Sequence, residues 1–589
     1  MKKILNKTQF KLFLKFAKYL LPYWKKEVAI LSLSGLTVLL ALVSPYLSKL
    51  VIDRAFGNRD LKIFIILALI GGGVFVLSGL VGGLKNYLDR QIKIKVNFDL
   101  NKKVFKHLEK LDLRYFQNKS TGEHLYRSSY DIDRASDFIT SSPPQVVLTF
   151  PKLLFILVIV FRLNWQMALF SIFLAPLLYL PSYYFIKRME EIWKELIKNS
   201  EGIFKCLNEF FSHIQLVKAF GKEATAVRGY LRRRIANIRI SMRNVKLEVA
   251  SGFAGSVVNK VAIGLIAFYG GYQVIKGRMS LGSLSAIMMY IGQLIGLQGT
   301  FAGFFQNIAL GLVSCQRVEE ILDKKAKIVE KQDAKDIAFK KGNIAFRDVI
   351  FGYKDGEEVI SGINFDIKGG THIAFVGTSG SGKSTILNLI LRLYDPWSGD
   401  IWIDGYNVKD LKLSSLRSQI GIVLQEPFLW NDTIESNIKY GRPDASEREM
   451  IEAAKICGID DFVSKLSNGY KTIIGENACK ISEGQKQKIA IARALIKKPK
   501  ILILDEALSS IDSQGEERII TNIGELQEVL TVIIVSHRLS TVMNADKIYF
   551  LQKSGEIVVS SGKELLGNKT FCNLFLSQLQ DYPLAERFA

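Results

Sequence analysis

Cysteine is scarce in this chain, and the little there is carries no pattern. Cys206, Cys315, Cys457, Cys479 and Cys572 lie far apart, with no C-x-x-C pair and no histidine cluster beside them. That spacing argues against both a metal site and a disulfide framework, and it fits a reducing compartment. A cleavable leader is missing too: the opening MKKILNKTQFKLFLKFAKYL is basic throughout and has no A-x-A site. Acidic residues are in short supply, 56 against 79 lysines and arginines, for a formal net charge of +23. Such an excess admits a nucleic acid or a membrane surface as partner. The distribution of apolar residues decides between them.

Long apolar runs fill the chain to about residue 320, and a soluble α/β pattern follows from about 340. With 589 residues the chain exceeds one domain. Residues 1–27 read as an amphipathic elbow helix lying on the inner membrane surface. A membrane domain, 28–322, follows, with spans at about 28–50, 61–84, 141–162, 165–186, 253–275 and 282–303. Each is near the ~20 residues that a bilayer requires. A linker (323–342), an α/β domain (343–580) and a tail (581–589) complete the division.

The polar stretches after the second and fourth spans are heavily basic, as in KIKVNFDLNKKVFKHLEK and YLRRRIANIRISMRNVK. The short connections Arg54–Leu61 and Lys276–Leu281 carry less charge. The positive-inside rule then places both long stretches and both termini in the cytoplasm of a multi-pass protein of the inner or plasma membrane. The basicity is accounted for with no nucleic acid. Helical periodicity in the long stretches predicts helices that extend past the bilayer and turn near 115–128 and 209–220. Within the fifth span, Lys260 beside Asn259 is an intramembrane charge and a candidate for the substrate pathway; snorkelling to the headgroups is the other reading. Gln293 and Gln298 in the sixth span suit interhelical hydrogen bonds.

The second half carries the chemistry. FVGTSGSGKST contains Gly377, Thr378, Ser379, Gly380, Ser381, Gly382, Lys383, Ser384 and Thr385 in the order G-x-x-x-x-G-K-S. It sits between a strand-like run, THIAFV, and a helical one, TILNLILRLY, which is the context a phosphate-binding loop requires. Its glycines let backbone N–H groups curl round phosphate, Lys383 reaches the β- and γ-oxygens, and the Ser384 hydroxyl goes to Mg²⁺. Further on, ILILDEALSSID begins as a buried parallel strand. Asp505 at its end can hold Mg²⁺, and Glu506 can orient or deprotonate an attacking water.

The stretch KISEGQKQKIAIARAL opens with Ser482, and Gln485 follows three residues later, a capping box at a helix start. A capped N-terminus favours an anion, yet Glu483 places a carboxylate there.

Taken together these motifs resemble those of the ATP-binding cassette (ABC) transporters. Gln425 in VLQEPFLWNDTIESNI looks like the family's Q-loop residue, which implies a part in sensing Mg²⁺ and the attacking water. His537 in SHRLSTVMNAD looks like the switch histidine that contacts the γ-phosphate, and Tyr353 in FGYKDG like the aromatic that stacks on adenine. SSID occupies the place of the dimer-contacting D-loop. Ile481 to Gln485 matches the L-S-G-G-Q signature, with Glu483 where the family has glycine. VKAFGKE and QRVEEILD look like landmarks of exporters of the lipid-flippase and multidrug type.

The resemblance spans nearly the whole chain. It implies an all-α six-helix transmembrane domain with long cytoplasmic helix extensions, followed by an α/β P-loop NTPase domain with a helical subdomain. It also implies an ATPase using ATP and Mg²⁺ to move an amphipathic, lipid-like or drug-like substrate outward. Ser482, Gly484 and Gln485 would then serve the ATP of a partner. That partner is a second copy of the chain or, given the departures around GENACKISEG, a related half-transporter. Membrane lipids complete the expected partners. A peptide exporter is the neighbouring alternative, although no peptidase-like segment precedes the first span. A nucleotide-gated channel on the same scaffold could dispense with Glu506, which is present. A soluble DNA-acting ATPase conflicts with the six spans, and an importer with the fusion of spans and ATPase in one chain.

Overall fold

The computed structural model describes residues 7–117, 121–354, 356–475, 480–525, 530–552, 557–566 and 568–575. Cys479 and the 581–589 tail lie outside them. The chain divides into two compact units, Met1–Lys325 and Ala326–Ala589.

The first unit is helical: α1 (Lys7–Ala17), α2 (Trp24–Leu50), α3 (Leu61–Leu108), the short α4 (Leu113–Gln117) and α5 (Thr121–Tyr126), α6 (Ile132–Leu163), α7 (Trp165–Ser212), the short α8 (Ile214–Ala219), α9 (Glu223–Ile275) and α10 (Leu281–Leu322). Helices α3 and α7 each run 48 residues and α9 runs 53. At 1.5 Å per residue a 48-residue helix is about 72 Å long, more than twice a bilayer core of about 30 Å. Among the described residues, Lys11–Phe56, Leu61–Leu108 and Glu223–Ile275 are long and apolar enough to cross a membrane, and Trp165–Leu174 and Leu281–Gly296 are shorter apolar stretches. The side chains of 142–148, 175–183 and 297–306, and so of Gln298, lie outside those described.

Beyond the apolar segments the helices keep a protein core. Leu12 and Phe16 of α1 pack with Leu100 and Val104 of α3, Ile132 and Phe138 of α6, and Val318 of α10. The helix expected on the membrane surface thus buries one face in protein, while Leu14, Leu21 and Trp24 stay exposed. Gly311 lets α10 approach α6 closely, since a Cβ there would lie 2.3 Å from that of Phe138. A polar knot sits beside this core. Asp131, 1% exposed, accepts from Ser314 at 2.9 Å and faces Arg317 at 3.7 Å; Arg317 also pairs with Glu201 of α7. Burial pushes the Asp131 carboxyl up to about 6, against the pull of Ser314 and Arg317.

The second unit holds two sheets. One is antiparallel, in order β2-β1-β4-β5, from β1 (Ile344–Phe351), β2 (Ile360–Ile367), β4 (Ser398–Ile403) and β5 (Tyr406–Asn407). The other has the order β10-β9-β3-β8-β7-β6, from β3 (His372–Gly377), β6 (Ile420–Val423), β7 (Ile501–Asp505), β8 (Thr531–Val535), β9 (Lys547–Leu551) and β10 (Ile557–Ser560). All its pairings are parallel except that of the edge strand β10. IAFV, ILIL and TVIIV are fully buried, as central parallel strands with both faces covered must be. A second core gathers the helical segments between Ile434 and Ile496 against β7 and β8.

The segment 326–342, inside the stretch expected as a linker, is held to this unit by backbone and side-chain bonds. Glu330 accepts from the Leu413 N–H, Ser415 from that of Ile337 and Gln419 from that of Phe339. Asp404 collects the N–H groups of Lys340, Lys341, Gly342 and Asn343 at 2.7–3.0 Å. Burial works to raise its pKa, and those donors outweigh burial and hold it below the usual carboxylate range.

Candidate functional site

Strand order builds the site. Parallel strands end on one edge of the sheet, and β3, β8, β7 and β6 stand side by side there. Phe375 pairs with Val535, Val535 with Asp505, and Leu504 with Val423. Each strand therefore releases its next residues into the same crevice, the place where open α/β sheets bind ligands. From β3 emerges the loop 377–382, from β8 His537, from β7 Glu506 and from β6 Gln425.

The loop is shaped for an anion. Gly380 and Gly382 adopt φ of +79° and +97°, which only glycine takes without strain. Gly377 has no room for a side chain: a Cβ would lie 2.5 Å from the Leu551 carbonyl oxygen. The Thr378 and Ser381 hydroxyl oxygens are buried without a partner. Orphaned polar groups of this kind fit a phosphate lying in the loop. Lys383, 8% exposed, donates to the Gly377 and Thr378 carbonyls at 2.8 and 3.1 Å. Burial lowers its pKa, and Glu506 and Asp505 oppose that. Ser379 and Ser384 are exposed at the mouth. Tyr353 stands beside the first turn of α11 (Lys383–Ile390), its hydroxyl 3.1 Å from that of Thr385 and its ring edge-on to Phe351 and Tyr394.

Asp505 and Glu506 crowd two carboxylates together. Burial first, then repulsion by Glu506, raises the Asp505 pKa, while a hydrogen bond from Ser384 pulls it down. A divalent cation answers that crowding. Ser384 and Asp505 are side chains that could hold a divalent cation such as Mg²⁺, which characteristically takes one or two protein oxygens and leaves other positions to phosphate and water. Among the described residues no cluster of three His, Cys, Asp or Glu side chains forms a metal cage.

Glu506 sits at φ +50°, a conformation that costs a non-glycine residue about 1–3 kcal/mol and gathers at active sites. Its two oxygens are gripped from opposite sides: Gln425 Nε2 donates to Oε2 at 2.7 Å, and His537 Nε2 lies 2.9 Å from Oε1. The three residues expected to be catalytic, Glu506, His537 and Gln425, thus meet at the Glu506 carboxylate.

The residues of the 481–485 motif go elsewhere. Helix Glu483–Leu495 begins with the capping box, Ser482 Oγ accepting from the Gln485 N–H at 3.3 Å and Gln485 Oε1 from the Ser482 N–H at 2.9 Å. Glu483 points into solvent, 52% exposed, and pairs with Lys486 at 3.1 Å. Gly484 lies so close to the D-loop that a Cβ would meet the Ser510 carbonyl oxygen at 2.8 Å. Among the described residues no hydrogen bond or ion pair joins Ser482, Gly484 or Gln485 to residues 377–385. In the first unit, Lys260 is exposed on α9, and the buried Oδ1 of its neighbour Asn259 has no partner.

Three residues that sequence reasoning passed over tie these parts together. Arg538 pairs with Glu516, 5% exposed, and donates to the carbonyls of Ser509 and Ile511 at 2.9 and 3.2 Å. Gln487 accepts from the Ser510 N–H at 3.1 Å. The D-loop is thereby fastened to the residue beside His537 and to the capped helix. The only sequence signal was the position of Arg538 directly after His537.

Comparison with known proteins agrees with this geometry. Residues 28–298 match the ABC transporter transmembrane region, and residues 360–509 match the ABC transporter ATPase family. The chain is 33% identical over 559 residues to the ATP-dependent lipid A-core flippase of Syntrophus aciditrophicus, covering 95% of this chain and 92% of that one. It is 32% identical over 563 residues to a multidrug export ATP-binding/permease protein of Staphylococcus aureus, covering 94% and 97%. A solved bacterial Atm1-family ABC exporter with ATP bound superposes with a TM-score of 0.85 at 26% identity, covering 94% of this chain and 98% of that one.

Replacing Arg538 by alanine should leave the Glu516 carboxylate buried with Thr541 as its remaining side-chain partner. Because the guanidinium is partly solvated, the expected loss is about 2–3 kcal/mol, below the full figure for a broken buried pair. Thermal unfolding should shift down, and amide exchange at 508–512 should accelerate about tenfold or more. Unchanged exchange there would show that Arg538 does not hold the D-loop.

Proposed function

This chain belongs to the ABC transporter family as an ATP-driven exporter with its membrane and ATPase regions fused, and from that premise we propose how its residues divide the work. The observation that carries the reading is the double grip on Glu506 beside the phosphate loop. Gly377 to Thr385 cradle the phosphates of ATP, Lys383 neutralises the β- and γ-oxygens, and Tyr353 offers its ring to adenine. Ser384 and Asp505, together with Gln425, would hold Mg²⁺, which would supply screening of the phosphate charge. Glu506 positions a water and takes up its proton, His537 orients Glu506 and contacts the γ-phosphate, and Gln425 joins them to the metal side of the site.

Among the described residues Ser482, Gly484 and Gln485 have no link to their own phosphate loop, which supports a composite site made with a second copy of the chain. Two-fold pairing gives two such sites and a pathway between the membrane halves. ATP-driven closure then rocks these halves between inward and outward access. A related half-transporter as partner is the second reading, favoured by the departures around GENACKISEG, among them Glu483 where the family signature has glycine. The ATPase unit and both termini lie in the cytoplasm, consistent with the basic stretches 93–110 and 230–246. The substrate is amphipathic, lipid-like or drug-like, in keeping with the flippase and multidrug relatives, and Asn259 and Lys260 line its route.

Glu506→Gln should bind ATP yet lose turnover by ~10²–10⁴-fold, the usual cost of removing a general base. Near-normal ATPase rates in nanodiscs would sink the assignment. Lys383→Ala should instead weaken ATP binding itself, read by nucleotide titration. Glu483→Gly should keep hydrolysis and tighten ATP-dependent dimerisation slightly, by about 1 kcal/mol at most, more visibly at low salt. Loss of hydrolysis in that variant would make the carboxylate a working part of the site. Lys260→Gln should slow transport of anionic substrates selectively and leave basal ATPase intact. Equal effects on neutral substrates would remove it from the pathway.

A further inference from the structure

Where the chain is about to leave the first unit, α1, α3 and α10 line an open cavity of about 570 Å³. That volume lies within the ~300–1,000 Å³ range of small-molecule sites. Its charge is one-sided. Lys18 enters from the turn after α1, Lys103 and Lys106 from the end of α3, and Lys110 from the turn that follows it. The spacing of three residues puts Lys103 and Lys106 on one face of the helix.

Two carboxylates also line the cavity, but both are already engaged. Glu319 and Asp323 meet Lys15 at 2.7 and 3.0 Å, and these bonds raise the Lys15 pKa. Among the described residues none of Lys18, Lys103, Lys106 or Lys110 forms an ion pair. Lys103 Nζ lies 4.9 Å from the centroid of the Tyr19 ring, which holds the ammonium at the cavity wall. Phe16 and Leu322 add an apolar floor. Directly after Tyr19 come Leu21 and Trp24, 64% and 57% exposed, large apolar side chains suited to a bilayer interface.

Lys15, Lys18, Lys103, Lys106 and Lys110 outnumber Glu319 and Asp323 around this hollow, and an anion would relieve the excess positive charge. We propose that this cavity binds a phosphate-bearing ligand with two or more negative charges. Lysine supplies the point-charge donors for several phosphate oxygens, and Phe16 and Leu322 accommodate an attached carbon skeleton. The phosphate comes from an anionic lipid headgroup or from a soluble phosphate; the cavity chemistry is the same for both. The third wall is the end of α10 at Asp323, three residues before the second unit begins at Ala326, so a ligand here bears on the segment that leads to the ATPase.

The test uses the full chain in phosphatidylcholine nanodiscs, with Lys383→Ala as background so that the phosphate loop contributes little. One arm measures retention of phosphatidic acid by native mass spectrometry, and the other titrates pyrophosphate by calorimetry. The triple variant Lys103→Gln, Lys106→Gln, Lys110→Gln should weaken binding about tenfold or more, whereas Lys95→Gln with Lys102→Gln, on the same helix outside the cavity, should change it less than about twofold. The corresponding arginine triple variant should retain binding, which separates loss of charge from loss of fold. Loss in the lipid arm assigns the headgroup, and loss in the pyrophosphate arm assigns a soluble phosphate. No loss in either arm, or equal loss in the control pair, overturns the proposal.

Discussion

A single carboxylate organises the chemistry of this protein. Glu506 follows a strand buried on both faces, adopts a left-handed backbone conformation and receives Gln425 and His537 on its two oxygens. Three segments far apart in the chain can meet there because β6, β7 and β8 are parallel neighbours. Reverse one of those strands and its terminal residue would emerge on the opposite edge of the sheet. The adjoining loop depends on the same alignment, since β3 lies next to β8 and delivers Gly377 to the same crevice.

Electrostatics and strain then work in one direction. Lys383 is buried with its charge, Asp505 is pushed toward protonation by burial and by Glu506, and Thr378 and Ser381 hold unmatched hydroxyls. Each of these is unfavourable as the chain stands, and a phosphate bound in the loop would relieve it. Outside the site, particular buried charges are matched to partners. Asp404 answers four consecutive backbone donors, and Arg538 closes the D-loop against Glu516. The first unit uses the same device at Asp131, where one buried carboxylate binds α10 to the start of α6 and, through Arg317, to α7.

Much of this was legible in the residues. G-x-x-x-x-G-K-S carries part of its own geometry, because its second glycine, Gly382, takes a φ of +97°, and this chain adds Gly380 at +79° inside the motif. S-x-x-Q announced a capped helix, and Ser482 and Gln485 exchange both bonds of the box. Periodicity and hydropathy separated a helical membrane half from an α/β half. Less visible was the double life of α1, whose amphipathic pattern is the same whether its apolar face meets lipid or, as for Leu12 and Phe16, protein. The docked segment 326–342 was equally silent, since its bonds run mostly through backbone N–H groups that every residue possesses.

The sequence by itself determined the chemistry available: a phosphate loop, adjacent acids after an aliphatic strand, a capped helix, and basic stretches flanking apolar spans. These are local patterns, set by neighbours within a few residues. Tertiary structure decided which of those groups act on one another. Gln425 and His537 could be named from their motifs, but only strand order brings them to opposite oxygens of Glu506. Arg538, Glu516 and Gln487 bear no local mark of their partners. Neither do Lys18 and Lys103, which face one cavity because α1 folds back against α3. Long-range pairing depends on how helices and strands pack, and side-chain identity read along the chain contains that information only in aggregate.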